Sequence, residues 1–222
     1  MTVGKNKKVS FSEAPISDKS VKHSKNPDTY KSQPICWQLS LMDFDFQYGW
    51  NNVINRINFT QQIKDDILLE IAEDDDNELY GIIDKINVSS FKTRGDLFAQ
   101  LCVLSHVNSK HIVCILSKLK ETFFWKEIYP KMKNFESITW QELENQTFFG
   151  KGKTKTMHHW VSTARIIKEA KERLKEIKLD DYDEIYSIRL SGTNRVWGIR
   201  INNYFRILWF DFDHEICPSM KS

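Results

Sequence analysis

The residues from Glu184 to Cys217, EIYSIRLSGTNRVWGIRINNYFRILWFDFDHEIC, constrain the fold more than any other part of the chain. Three runs rich in Ile, Val, Trp, Tyr and Phe are separated by Ser191 to Asn194 and by Asn202-Asn203, the pattern of a three-stranded antiparallel meander. Adjacent asparagines suit a two-residue hairpin turn because Asn tolerates positive φ. That turn sets Ile201 opposite Tyr204, Arg200 opposite Phe205 and Ile199 opposite Arg206. With Ser191 to Asn194 as a four-residue loop pairing Leu190 with Arg195, one face carries Tyr186, Ile188, Leu190, Trp197, Ile199, Ile201, Leu208 and Phe210, and is expected to be the core face. The other carries Ile185, Ser187, Arg189, Val196, Gly198, Arg200, Phe205, Ile207 and Trp209. Two arginines sit near its centre, and the glycine leaves room for an approaching partner.

The rest of the chain supplies the layer against which such a sheet packs. Ile35 to Phe46 alternates and predicts a strand able to pair with the meander. From Trp50 the period becomes helical through Val53, Ile54, Ile57, Ile63, Ile67, Leu68 and Ile71. Further helical segments are expected at 79–86, 96–106, 110–123 and 125–140, the last broken at Pro130, with Ser137 to Trp140 capping a turn at 141–144. The fold class that follows is α+β: an antiparallel sheet at the C-terminus packed with a mostly helical middle, as one domain over 34–222 with a helical insertion at about 51–145. A chain of 222 residues, 41% of them hydrophobic, can bury one sizeable core of this kind.

Charge is informative through its placement, because the net value is only +2. Residues 1–33 hold Lys5, Lys7, Lys8, Lys19, Lys22, Lys25 and Lys31 among Ser, Asn and Pro, and have too little apolar surface to offset ordering, so a flexible basic tail is expected. It has no arginine and no apolar core of a signal peptide, and no run reaches a membrane span; a cytoplasmic protein without membrane contact is the expectation. The acidic run around Asp74-Asp75-Asp76 lacks the glycine and terminal glutamate of a calcium loop and reads as a solvated connection. His106 and His111 flank an ordinary turn. Cys102 and Cys114 sit in apolar runs as packing residues, and the four cysteines show no zinc-ribbon spacing. Gly150 to Thr156, GKGKTKT, lacks phosphate-loop spacing and reads as a flexible basic loop. After it comes MHHW, then Ser162 as the N-cap of a helix to about Lys178. Ala164, Ile167, Ala170, Leu174 and Ile177 form its apolar side, and Arg165, Lys168, Lys171, Arg173 and Lys175 crowd the remainder.

The string LSGTNRVWGIR, a hairpin, then ILWFDFDHEICPS, preceded by HHW and a basic helix, resembles the C-terminal half of a widespread bacterial family. Its members share an L-x-G-x-x-R-V-W-G-I-R element and an L-W-[FW]-D-x-x-H ending. The stretch is also similar to the sheet of RelE/ParE-type toxins, matched here by Ile199-Arg200 and Tyr204-Phe205-Arg206 with one extra residue in the hairpin region. The resemblance covers roughly the last third of the chain. It implies a sheet backed by helices that presents basic residues on its concave side, and an activity in which messenger RNA is cleaved at the ribosome without a metal. The positions matching the shared motifs are His158, His159, Arg195, Trp197, Arg200, Asp211 and His214.

Metal-independent RNA cleavage needs a base for the 2′-OH proton, an acid for the leaving 5′-oxygen and cations for the charge developing on phosphorus. His158, His159 and His214 have unperturbed pKa values near neutrality, and Arg189, Arg195, Arg200 and Arg206 can pair with phosphate. Asp211 can orient His214 or, equally, cap the turn after the strand. Trp197 and Trp209 read as packing. A metal held by His158, His159, Asp211 and His214 is not demanded by the spacing, and no cofactor is expected. The expectation is therefore a toxin-like endoribonuclease of a toxin–antitoxin or phage-defence system. His158, His159, Arg200, Asp211 and His214 are its catalytic group; Arg165, Lys168, Arg189, Arg195 and Arg206 contact RNA; an antitoxin protein is a partner. The alternative is a non-enzymatic nucleic-acid- or protein-binding module using the same basic face.

Overall fold

The structure, a computed structural model, describes residues 29–218 apart from 58, 75, 92–94, 105–108 and 151–152. The expected tail up to residue 28, Asp75 of the acidic run, the His106 turn and Lys151-Gly152 lie outside the described residues, as do the side chains of Cys102 and His111. The architecture is α+β. Strand β1 (Cys36–Gln38) is followed by a 3-10 turn over Trp50–Arg56. Then come helices α1 (Gln61–Glu73), α2 (Asn77–Asp84), α3 (Gly95–Leu104), α4 (Ser109–Phe123), α5 (Tyr129–Glu136) and α6 (Trp140–Glu144). Strands β2 (Thr147–Gly150) and β3 (Lys153–Thr156) form a separate hairpin. Strand β4 (His159–Ser162), helix α7 (Lys168–Glu176) and the meander β5 (Glu184–Ser191), β6 (Asn194–Ile201) and β7 (Tyr204–Asp211) complete the chain. The main sheet has the order β1-β7-β6-β5-β4, with β1 parallel to β7 and every other neighbour antiparallel. Among the described residues no helix is long and apolar enough to cross a membrane.

Both faces of the meander are covered. Tyr186, Ile188, Val196, Phe205, Ile207 and Phe210 pack into a large core with α1 to α6, including Ile67, Ile71, Leu79, Leu101, Leu119 and Trp140. On the opposite face Val161, Ile185, Trp197, Ile199, Leu208 and Trp209 pack against Ala170 and Leu174 of α7 and against Tyr48. The expectation of one core face and one open face is thus corrected. Burying both sides is the more favourable outcome for strands this apolar, since each large side chain removed from water contributes about 1.5–3 kcal/mol.

The face assignment is corrected as well. At the Asn202 turn the register is as the sequence indicates, with Asn202 at φ 55° and Arg200 opposite Phe205. Between β5 and β6, Gly192 at φ 34° permits a two-residue turn in which Ser191 pairs with Asn194. An irregularity between Arg189 and Ser191 then sets Arg189, not Leu190, opposite Arg195. This slip moves Tyr186 and Ile188 to the side opposite Trp197 and Ile199. A second shift, past Leu208, brings Trp209 opposite Trp197 and Phe210 opposite Val196.

Three further elements differ from expectation. The strand predicted over 35–46 stops at Gln38, and residues 39–49 fold instead as a loop bonded to β7 through Asp43 N–H to the Leu208 carbonyl and Phe210 N–H to the Tyr48 carbonyl. Ser162 caps a 3-10 turn at Thr163–Arg165, so α7 begins only at Lys168. The GKGKTKT stretch is not a loop, since its ends belong to the β2–β3 hairpin. Elsewhere the sequence signals hold. Thr139 and Glu142 form a capping box on α6; Asp76, read from the sequence only as part of a solvated connection, caps α2. The break expected at Pro130, however, is absent, because a π-helical widening over Phe124–Ile128 just ahead of the proline carries the chain from α4 into α5 without leaving helical conformation. Residues 29–33, assigned to the tail, are anchored: the carbonyls of Lys31 and Gln33 accept from the first N–H groups of α6.

The room that Gly198 was expected to leave for a partner is taken by the protein itself. A Cβ there would lie 2.3 Å from the Arg206 carbonyl oxygen and 2.7 Å from the Phe205 ring. Gly198→Ala should therefore destabilise the fold by about 1–3 kcal/mol or more. Gly81→Ala, in α2 with nothing within 4 Å, should stabilise by about 0.5–1 kcal/mol. Urea melts of the two variants check the second register shift; a Gly198→Ala variant as stable as the parent is incompatible with it.

Candidate functional site

Strand register gathers part of the predicted group into two rows on the α7 face, at the end of the sheet near the Gly192 turn. One row runs Arg189, Arg195, Asp211 across β5, β6 and β7; the next runs His159, Ser187, Trp197, Trp209 from β4 to β7. His214 follows three residues after the end of β7, at φ 60°. A non-glycine residue in that region is mildly strained, and here the strain is held by Asp211. The buried Asp211 carboxylate accepts from Glu215 N–H (2.9 Å), Ile216 N–H (3.0 Å) and the Trp197 indole (3.3 Å). Of the two roles open to Asp211 in the sequence, its hydrogen bonds are those of the turn cap, which sets the position of His214.

Arg195 is buried, and its guanidinium donates to the Gly192 and Asn194 carbonyls at 3.0 Å each. Burial, with the Arg189 charge beside it, pulls it down to about 10, against the opposing influence of Asp211, so it stays cationic at neutral pH. The two nearby imidazoles respond to that charge. Burial and then Arg195 push His159 below its ordinary value, with smaller contributions from Arg165 and His214. Burial and Arg195 do the same to His214, with Asp211 pulling the other way. Both rings are therefore held toward the neutral form beside fixed cations.

His158 has a different environment, because successive residues along an extended chain point to opposite sides. It is almost fully buried against Phe135. Its Nδ1 accepts from the Arg189 backbone N–H at 3.1 Å, which makes Nε2 the protonated nitrogen, donating to Gln146 Oε1 at 3.1 Å. Burial, chiefly, pushes its pKa down to about 4. With both ring nitrogens committed, His158 holds the backbone of Arg189 in place.

Arg200, expected on an accessible face, is buried on the helical side of the sheet. It forms an ion pair with Glu144, and its guanidinium lies 4.1 Å from the Tyr30 ring centre and 4.2 Å from that of Trp140. The pairing of β6 dictates this, since Arg200 shares its face with Val196 and Gly198. Arg206 lies five residues before Asp211 on β7 and donates to Gln38, the last residue of β1. Lys168 is exposed and pairs with Glu172 on α7. Arg165 is exposed on the turn after β4. The structure thus brings together His159, His214, Arg189 and Arg195, with Asp211 as support and Arg165 near His159. It does not bring Arg200 or Arg206 to them. Among the described residues, no group of three or more His, Cys, Asp or Glu side chains is placed to hold a metal ion.

One neighbour was missed. The Arg189 guanidinium lies over the ring of Phe148, 4.8 Å from its centre, and Phe148 belongs to the β2–β3 hairpin. The signal was present: TFFGKGKTKT places two β-favouring residues ahead of a Gly-x-Gly centre, which marks a hairpin. Set against known protein families, curated proteins and solved structures, the chain matches none.

Two outcomes are expected from these placements. Arg200→Ala should destabilise by about 2–4 kcal/mol in a thermal or urea melt, because it empties an aromatic box and strands Glu144. Stability should also fall on acidification through His158. Its folded value of about 4 lies below the unfolded 6.5, so between these pH values the unfolded chain binds more protons. The stabilisation is full above about 6.5 and is lost as pH falls toward 4, by about 3 kcal/mol. Urea melts from pH 4 to 7 should show a shallower pH slope in His158→Asn, and an unchanged slope would place the acid sensitivity elsewhere.

Proposed function

We propose that this chain is a metal-independent endoribonuclease whose working groups are His159, His214, Arg189 and Arg195. The observation that supports the reading is the sheet order. His159 on β4 and His214 after β7 bracket the facing pair Arg189 and Arg195 on β5 and β6. A phosphate paired with the two guanidiniums would have an imidazole on either side of it. One imidazole takes the 2′-OH proton as the 2′-oxygen attacks phosphorus. The other, protonated, donates to the 5′-oxygen as the P–O5′ bond breaks, leaving a 2′,3′-cyclic phosphate and a 5′-hydroxyl. The arginines stabilise the charge developing on the phosphoryl oxygens.

The cellular setting follows from the resemblance to RelE/ParE-type toxins: a cytoplasmic toxin of a toxin–antitoxin or phage-defence system, with ribosome-bound messenger RNA as substrate and an antitoxin protein as partner. Arg165, exposed beside His159, and Lys168 would extend the backbone-binding surface. Trp197 and the buried Arg200 hold the sheet.

Cleavage of end-labelled RNA in the presence of EDTA tests the proposal. His159→Ala and His214→Ala should each lower kcat by about 10²–10⁴-fold with an unchanged melt, and induced expression should lose its toxicity in parallel. Because both imidazoles are pushed below 6.5 in the free protein, the bell-shaped profile of kcat/KM should peak on the acid side of 6.5. A parent chain that binds RNA with no cleavage at any pH would assign this face to a binding module instead.

A further inference from the structure

Phe148 is out of place as a structural residue. It sits on a hairpin of four residues a strand, outside the main sheet, and more than a third of it is exposed. An isolated two-stranded hairpin is marginal by itself, so something must fix it. Its base is tied to the site. The Gln146 side chain bonds His158 and the Gln146 carbonyl accepts from Met157 N–H, while His158 in turn holds Arg189 N–H. Arg189 then lays its guanidinium over the Phe148 ring. The hairpin is therefore an arm pinned to the arginine row, carrying an aromatic ring that is backed by a cation and still open to solvent.

We infer that Phe148, backed by Arg189, is a base-stacking platform, and that the protein takes RNA with an unpaired nucleotide next to the phosphate held by Arg189 and Arg195. The inference rests on the ribonuclease reading for the identity of the phosphate, and adds to it the residue that selects unpaired strands. Aromatic rings and arginine planes are the surfaces on which unstacked bases rest, whereas a base within a duplex presents no free face to them. An arm carrying a ring beside two guanidiniums supplies backbone charge and base stacking within one nucleotide of each other.

The experiment is binding of a fluorescein-labelled 12-nucleotide RNA by anisotropy, unpaired or annealed to its complement. The parent, Phe148→Ala and Phe148→Trp are compared, with oligonucleotides carrying one abasic position in turn. The parent should prefer the unpaired strand by tenfold or more. Phe148→Ala should weaken that binding by about ten- to hundredfold with no change in salt slope, since no charge is lost. Phe148→Trp should restore it, which a mere folding defect in the alanine variant would not predict. One abasic position should weaken the parent and leave Phe148→Ala unaffected. Equal binding by parent and Phe148→Ala overturns the inference, as does a loss that Phe148→Trp does not repair or that is the same at every abasic position. If cleavage depends on His159 while Phe148→Ala binds normally, the platform alone is wrong. If Phe148-dependent binding occurs without cleavage, the platform stands and the ribonuclease reading falls. If the parent binds no RNA, both fall.

Discussion

Burial of both faces of the β5–β6–β7 meander is the constraint on which the rest of this structure depends. Strand β6 is buried from Arg195 through Arg200, so every polar group in that stretch must find its partner inside the protein. Each does so differently. Arg195 turns to backbone carbonyls of its own hairpin, Arg200 to an aromatic box closed by Glu144, and Asp211 on the next strand to the indole of Trp197 and the turn that follows. These are not interchangeable solutions. A guanidinium stacks flat against rings while holding a carboxylate at its edge, which an ammonium cannot do. The box around Arg200 also recruits Tyr30, so the chain packs against the fold several residues ahead of its first strand.

A second buried carboxylate closes the α7 side. Asp43 accepts both donors of a bidentate Arg173 pair at 2.8 Å, the Trp209 indole at 3.1 Å, and the N–H groups of Asp45 and Phe46. Burial raises its pKa, but the bonds from Arg173, Trp209 and Asp45 outweigh that, and it is held below the usual carboxylate value. One side chain thus joins the loop after β1, helix α7 and strand β7. Gly49 is part of the same closure, because a Cβ there would come within 2.6 Å of the Asp43 carbonyl oxygen. The consequence for the site is rigidity: Trp209, Trp197 and Asp211 are fixed from below, and the residues beside them inherit that placement.

Much of this was legible from the residues alone, and what was not has a physical cause. The helical periods, the capping box at Thr139 and the Asn202 turn are local signals, set by a few adjacent residues, and they hold. Registers and faces are not local. A strand pair reveals its register through alternation only when one face is polar, and with both faces apolar a one-residue slip leaves the pattern almost unchanged. The Ser191 and Leu208 irregularities each insert such a slip, and only the glycines beside them hint at it. The first slip parted Arg189 from Arg200, whereas Arg200 kept its expected neighbours Val196, Gly198 and Phe205 and was misplaced because that face, taken as open, is covered by the helices. The residues of the candidate site could be named from their types, but their grouping could not. His159 and His214 are 55 positions apart, and Phe148 reaches Arg189 only because a hairpin folds back over the sheet.

The adjacent histidines show how the pleat divides labour. His158 and His159 differ by one position, yet one is sealed in with both nitrogens committed and the other stands at the end of the row next to the arginines. The first cannot exchange protons without breaking the contact that positions Arg189. The second, like His214, is pushed toward the neutral form by burial and by cations that repel its proton. An anion seated on Arg189 and Arg195 reverses the electrostatic part of that balance. It screens the guanidiniums and adds a negative charge beside both rings, so both proton affinities rise on binding. Because one imidazolium repels a second proton from its neighbour, the two rings would then take up protons in two coupled steps.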